Sequence, residues 1–266
     1  MLGLKSLKSS TRSSILTLLA LAPGMLGQTP DVPTKSGAHV ETDGIPRLPN
    51  GRPDLNGIWD HPYVPDVARS TKNGVMSQEG PGSLPYLPAA LEEFKKYDPS
   101  VDGDYTGSCL PFGYFRSFNA PYPIQILQTQ EYVGFLFEQN NWFHTVTMGK
   151  KHPDPDHLNP TWFGDSVGSW DGDTLVIDTI GFNGKTRLDT IGHQHSDAMH
   201  IVQRVQRLDA KRLQMEFIVE DPKVYSEPWK NKRVFALMKP GQELMEYSCE
   251  ENNRDFTQGH IKLPAK

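Results

Sequence analysis

HIVQRVQRLDAKRLQMEFIVE, residues 200–220, places two runs rich in Val, Ile, Leu and Phe on either side of Asp209-Ala210-Lys211. Such runs, separated by turn residues, read as β-strands, and a short turn makes them antiparallel neighbours. Closing the hairpin at LDAKRL sets Arg207 opposite Gln214, Arg204 opposite Phe217, Val202 opposite Val219 and His200 opposite Asp221. Side chains alternate across a strand. This register therefore collects Met215, Phe217, Val219 and Val202 with His200, Arg204 and Asp221 on one face. The other face holds Ile201, Gln203, Val205, Arg207, Gln214, Glu216, Ile218 and Glu220. In a dry core the first mixture costs several kcal/mol of desolvation, whereas it suits an apolar cavity wall with a few convergent polar groups. An Arg204–Asp221 ion pair, with His200 bonded at the rim, is the structural alternative.

The same texture runs outward from the hairpin. YPIQILQT, YVGFLFEQ, WFHTVTM, VGSW, TLVIDTIGF, KRVFALM and ELMEYSCEE are short, rich in β-branched and aromatic residues, and bounded by turn chemistry. SWDGDTL carries Asp171-Gly172, a strong two-residue hairpin signal. MKPGQEL reads as another reversal. About eight to ten antiparallel strands in a meander close most readily into an up-and-down, calycin- or lipocalin-like barrel, which removes the sheet edges; a two-sheet sandwich is the alternative. The barrel is expected over residues 122–256. Residues 28–121 are rich in Gly and Pro, hold one helical candidate in LPAALEEFKKYD, and read as a wrapping segment. Residues 257–266 read as a tail.

The chain has 266 residues. Its start carries Lys5, Lys8 and Arg12 before an apolar run from Ile15 to Leu26, the layout of a signal peptide ending at Gly27. The run falls short of the roughly 20 apolar residues needed to span a bilayer, so a secreted or periplasmic protein without membrane insertion is expected. Net charge is −5 and long Lys/Arg runs are missing, which removes the electrostatic footprint of a nucleic-acid binder. A small-molecule ligand or substrate is the expected partner. Cys109 and Cys249 are far apart in a chain expected to meet an oxidising compartment, and they read as one long-range disulfide.

Three of the nine histidines, His193, His195 and His200, crowd into GHQHSDAMH. As metal ligands they would offer three imidazoles to Zn²⁺, Mn²⁺ or Fe²⁺. That spacing is similar to the first motif of cupins, where a Glu takes the place of His200, but the second motif is missing: beyond His200 there is only His260. As acid–base groups they titrate near neutrality, with Asp197, Asp189 or Asp221 to orient them. As structural groups they close a barrel mouth. KKHPDPDHLNPTWFGDS adds His152, Asp154, Asp156, His157 and Asp165 in a Pro-rich loop, and extension of the DGDT hairpin would set Asp165 opposite Asp178. GxSxG, P-loop and dinucleotide glycine motifs do not occur.

Together NPTWFGDSVGSWDGDTLVIDTIGF, GHQHSDAMH, EDPKVYSEPW and MEYSCEENN resemble a family of exported bacterial proteins of acidobacterial type. The likeness covers roughly residues 47–254 and extends to Cys109 and Cys249, which match the family's own cysteine pair, and to His152, His193, His195, His200 and Asp197. Asp165 departs, because a histidine often stands there in the family. The resemblance implies export and carries no activity with it.

These readings lead to an exported barrel enzyme that uses His/Asp acid–base chemistry, as a lyase, isomerase, cyclase or hydrolase, on an apolar or aromatic molecule. His195 and His200 would transfer protons, Asp197 would orient one of them, and Arg204 would hold developing charge. Phe217, Met215, Tyr225, Trp229 and Trp162 would line the substrate. The reading calls for no cofactor. The alternatives are a non-catalytic carrier in the same barrel and a metalloenzyme holding a divalent metal on His193, His195 and His200.

Overall fold

The computed structural model describes residues 44–60, 63–73 and 76–251; the expected leader and tail lie outside them. In chain order come β1 (Gly57–Asp60), β2 (Thr71–Asn73), β3 (Met76–Glu79), α1 (Pro88–Lys96), α2 (Pro99–Asp102) and α3 (Tyr114–Ser117). They are followed by β4 (Ile124–Gln128), β5 (Tyr132–Phe137), β6 (Phe143–Met148), β7 (Asp165–Asp171) and β8 (Thr174–Ile180). The last three strands are β9 (His200–Arg207), β10 (Arg212–Glu220) and β11 (Trp229–Leu237). The ladder runs β1-β4-β5-β6-β7-β8-β9-β10-β11 and closes through β1 and β11, so nine strands form a barrel, while β3 and β2 extend from β11 outside it. Every junction in the ring is antiparallel except β6–β7, which is parallel. The barrel is therefore mixed. The long chain from Gly149 to Gly164 carries β7 back in the direction of β6.

The founding hairpin differs from its sequence reading by one residue. Arg207 pairs with Leu213, Arg204 with Glu216 and His200 with Glu220. The expected register requires a two-residue loop, Ala210-Lys211. Instead Asp209 leaves the ladder, and its carboxylate accepts the N–H groups of Lys211 and Arg212, each at 2.8 Å. A slip of one exchanges every cross-strand partner. The inner face is Ile201, Gln203, Val205 and Arg207 with Leu213, Met215, Phe217 and Val219, all buried. His200, Val202 and Arg204 face outward with Glu216 and Glu220. The β7–β8 hairpin turns one residue later than expected: Asp171 pairs with Thr174 and leaves Gly172-Asp173 as the loop, so Asp165 pairs with Ile180 and Asp178 with Val167. ELMEYSCEE forms no strand; β11 is the last, and Cys249 lies in irregular chain.

The segment read as a wrap does more than wrap. Its β1 closes the barrel through Trp59, which is fully buried, and α1 forms where LPAALEEFKKYD predicts it, with Pro88 in its first turn. All four residues of α3 are buried. Phe118, just after α3, packs on Phe135 and Phe137 of β5 and Phe217 of β10, and Phe115 packs on Phe217 and Trp229. The interior is thus packed by an aromatic plug. Met215, Phe217 and Trp229, expected to line a substrate, are core residues, and so is Tyr225.

Several polar groups inside the barrel satisfy one another. Tyr114 donates to Gln203, whose Nε2 donates to Met215 Sδ at 3.1 Å. His144 Nε2 meets Ser166 Oγ at 2.8 Å, which in turn meets Thr179 Oγ1 at 2.6 Å. Burial pushes His144 down to about 3, so the folded state holds it neutral. Between pH 6.5 and 3 the unfolded chain binds the extra proton, and stability falls as pH falls, by up to about 1.4 kcal/mol per unit from this group. His144→Gln should be less stable at pH 7 yet lose less on acidification. Chemical denaturation from pH 7 to 4 checks this: a stability gap that stays constant would show that His144 does not drive the acid response.

Cys109 and Cys249 are bonded, with Cα atoms 5.6 Å apart, across a separation of 140 residues. The chain-entropy relation gives about 5 kcal/mol for a loop of this size, and engineered bonds often deliver less. Denatured, unreduced protein should show no titratable thiol, and Cys249→Ser should melt several degrees lower; an unchanged melting point would mean that packing alone holds the front segment.

Candidate functional site

The connection from β8 to β9, residues 181–199, folds back on itself and is fastened at several points. Asp221, buried past the end of β10, accepts the N–H and hydroxyl of Ser196 at 2.6 and 2.7 Å. Tyr225 donates to the Gln194 carbonyl at 2.7 Å, and Gln194 Nε2 reaches Ala90 O of α1 at 2.9 Å. Asp189 accepts Val67 N–H at 2.9 Å and those of Gly192 and His193 at 3.1 Å. Gly192, at φ +99°, lies where a Cβ would come within 2.1 Å of the Tyr97 ring. Only glycine permits that approach.

Between this loop and the α1–α2 segment lies a cleft of about 700 Å³. Ala89, Ala90, Glu93 and Tyr97 line one side; Thr186, Arg187, His195 and Ser196 line the other. His195 Nδ1 is 2.9 Å from Ser196 O, and its Nε2 is 2.6 Å from Thr186 Oγ1. A carbonyl only accepts, so Nδ1 carries the proton and Nε2 accepts from the threonine hydroxyl. Burial pushes His195 below its ordinary value. Thr186 in turn leans into Gly113, where a Cβ would stand 2.6 Å from Oγ1. Proton acceptor, tautomer-fixing carbonyl and hydroxyl thus meet on one cleft wall. This is the geometry of a base-activated nucleophile.

The other histidines turn elsewhere. His193 meets Tyr86 OH through Nδ1 at 2.8 Å and Asp66 through Nε2 at 3.2 Å, and it stacks on Phe94. His200 faces outward, with Nε2 2.9 Å from Asp178. His193, His195 and His200 therefore do not gather into the three-imidazole set of the metalloenzyme alternative. Among the described residues, the one group whose donor atoms lie within ligand spacing of one another is Asp66, Asp189 and His193. Nor do the four residues expected to share catalysis meet. Asp197 is exposed and paired with Lys223 at 2.6 Å, and Arg204 reaches Asp171 at 2.8 Å on the outer face. Trp162 is half-buried against the core.

A second polar array lies on the outer face of the barrel. His152 bridges Asp165 at 2.6 Å and Asp178 at 2.8 Å, Asp178 also meets His200, and His200 lies 3.6 Å from Glu220. The two imidazoles hold Asp178 below the usual carboxylate range against the opposing effect of burial. The expectation that Asp165 and Asp178 lie close is met through an imidazole instead of by direct pairing.

Thr186, Arg187 and Tyr97 were not singled out from the sequence. KTRLD has no distinctive spacing, and the partnership with His195 exists only once the loop doubles back. A scan against protein-family models and a search of curated proteins both give no match.

The outer array fastens residues 149–160 to the barrel wall through His152. Asp178→Ala removes the carboxylate that both imidazoles share, so trypsin should cut faster at the exposed Lys150 and Lys151. Asp154→Ala, outside the array, should not change the rate. Equal rates for wild type and Asp178→Ala, read on reduced gels, would show that the array does not hold the loop.

Proposed function

We propose that the protein is an exported enzyme of hydrolase type acting on small molecules in the 700 Å³ cleft, with His195 as general base and Thr186 as nucleophile. One observation carries this reading: the His195 tautomer is fixed by Ser196 O, and its Nε2 accepts from Thr186 Oγ1 at 2.6 Å on the cleft wall. Export is supported by the leader-like first residues and by the Cys109–Cys249 bond. Among the described residues no helix is long and apolar enough to cross a membrane.

In the first step Thr186 Oγ attacks an ester carbonyl as its proton passes to His195 Nε2. The bond to the leaving alkoxide breaks, and that oxygen takes the proton from His195. Water then attacks the acyl-threonine, again losing a proton to Nε2, which returns it to Thr186 Oγ as the acid departs. The mature protein should hydrolyse members of a panel of small p-nitrophenyl esters. His195→Ala should lower kcat roughly 10²- to 10⁴-fold, Thr186→Val should do likewise, Thr186→Ser should retain activity, and His200→Ala should match wild type. Wild-type rates in His195→Ala would overturn the assignment. Binding without turnover of any ester would point to the carrier reading in the same cleft.

A further inference from the structure

We infer that Arg187 is the anchor for a substrate carboxylate, and that the cleft takes small monocarboxylates with an apolar body. The inference rests on the cleft being the substrate site and deepens that reading; it does not depend on the chemistry assigned to His195.

The argument starts from how this guanidinium is held. Its carbon lies 4.5 Å from the centre of the Tyr97 ring, so one flat face is covered. Nη1 donates to Gln194 Oε1 at 3.2 Å, and that amide is itself fixed, because its Nε2 donates to Ala90 O. The Arg187 main-chain N–H is tied to Tyr105 OH at 3.2 Å. Stacking and these bonds pre-organise the side chain. A guanidinium carries five N–H donors, and one is used.

Most other arginines show what this one lacks, while Arg52 stacks on Trp170 outside the cleft. Arg47, Arg69, Arg116, Arg204 and Arg212 each pair with an aspartate of the chain at 2.9 Å or less. The guanidinium of Arg207 is taken up by three main-chain carbonyls, and the fully buried Arg233 donates through Nε and Nη1 to Asn231 Oδ1 and Phe118 O. Arg187 is half-buried, lines a cavity, and has no carboxylate partner among the described residues. Its planar fork matches the two oxygens of a carboxylate.

The surroundings narrow the class. Lys185 adds a second cation to the cleft, and Lys223 is already paired with Asp197. Glu93 and Asp102 also line the cleft without an ion pair to Arg187. Two resident carboxylates disfavour a dianion, so one carboxylate fits better than a phosphate monoester. Ala89, Ala90, Val224 and the Tyr97 ring supply apolar wall for the rest of the molecule. Arg187 and His195 line the same wall of the cleft, which sets the anchored group beside the reacting one.

The test titrates mature, oxidised protein with benzoate, benzyl alcohol and inorganic phosphate, read by calorimetry. Benzoate should bind, and Arg187→Gln should weaken it roughly 10- to 100-fold, the range for losing a charge-assisted hydrogen-bonded pair. Benzyl alcohol should bind both forms equally and weakly. Arg187→Lys, which keeps charge and loses the fork, should fall between wild type and Arg187→Gln. His195→Ala should keep benzoate affinity, so a failure of the hydrolase reading leaves this result intact. With any ester turned over, Arg187→Gln should raise KM for carboxylate-bearing substrates and leave kcat and neutral esters nearly unchanged. Unaltered benzoate affinity in both Arg187 variants, phosphate binding as tight as benzoate, or no benzoate binding by wild type would each overturn the inference.

Discussion

The carboxylate of Asp209 sets the parity of the barrel. By taking the N–H groups of Lys211 and Arg212, it makes the β9–β10 connection one residue longer than a tight hairpin. That choice decides which side chains of β9 point inward and, through ladder pairing on either flank, which do so in β8 and β11. Had Asp209 remained in the ladder, His200 and Arg204 would share a face with Phe217. As it is, they meet solvent and carboxylates on the outer wall.

The inner face is not purely apolar, and its polar members explain why the plug is required. Gln203 needs the Tyr114 hydroxyl, and Arg233 needs the Phe118 carbonyl and lies against the rings of Phe115 and Phe217. Burial lowers Arg233 to about 9, with only the Asp189 charge opposing it. The plug therefore contributes hydrogen-bond partners as well as apolar volume. A hollow version of the same barrel would leave Gln203 and Arg233 without them.

Much of this architecture was legible from local signals. Branched and aromatic runs marked the strands, Asp171-Gly172 marked its hairpin, LPAALEEFKKYD marked α1, and the two cysteines marked their bond. The register was not legible, because Gln203 and Arg207 inside and Val202 and Ile218 outside blur the alternation that would have exposed it. Their partners, Tyr114 and Asp54, lie far away in sequence. The site was half legible. His195 stood out by composition, but its tautomer depends on a doubled-back loop, and Thr186 and Arg187 acquire meaning only beside Gly113 and Tyr97.

The Cys109–Cys249 bond makes residues 109–249 a covalent ring containing α3 and strands β4 to β11. Residues before Cys109 form an arm outside this covalent ring, although its β1 is built into the barrel between β4 and β11. The cleft straddles the seam. Thr186, Arg187 and His195 belong to the ring, while Ala89, Glu93, Tyr97 and Tyr105 belong to the arm. Non-covalent contacts alone hold the arm's side of the cleft to the ring, among them Gln194–Ala90, Arg187–Tyr105 and the Arg116–Asp104 ion pair. The crosslink thus joins covalently only the wall that carries the reacting groups, and leaves the facing wall to be held by packing and hydrogen bonds.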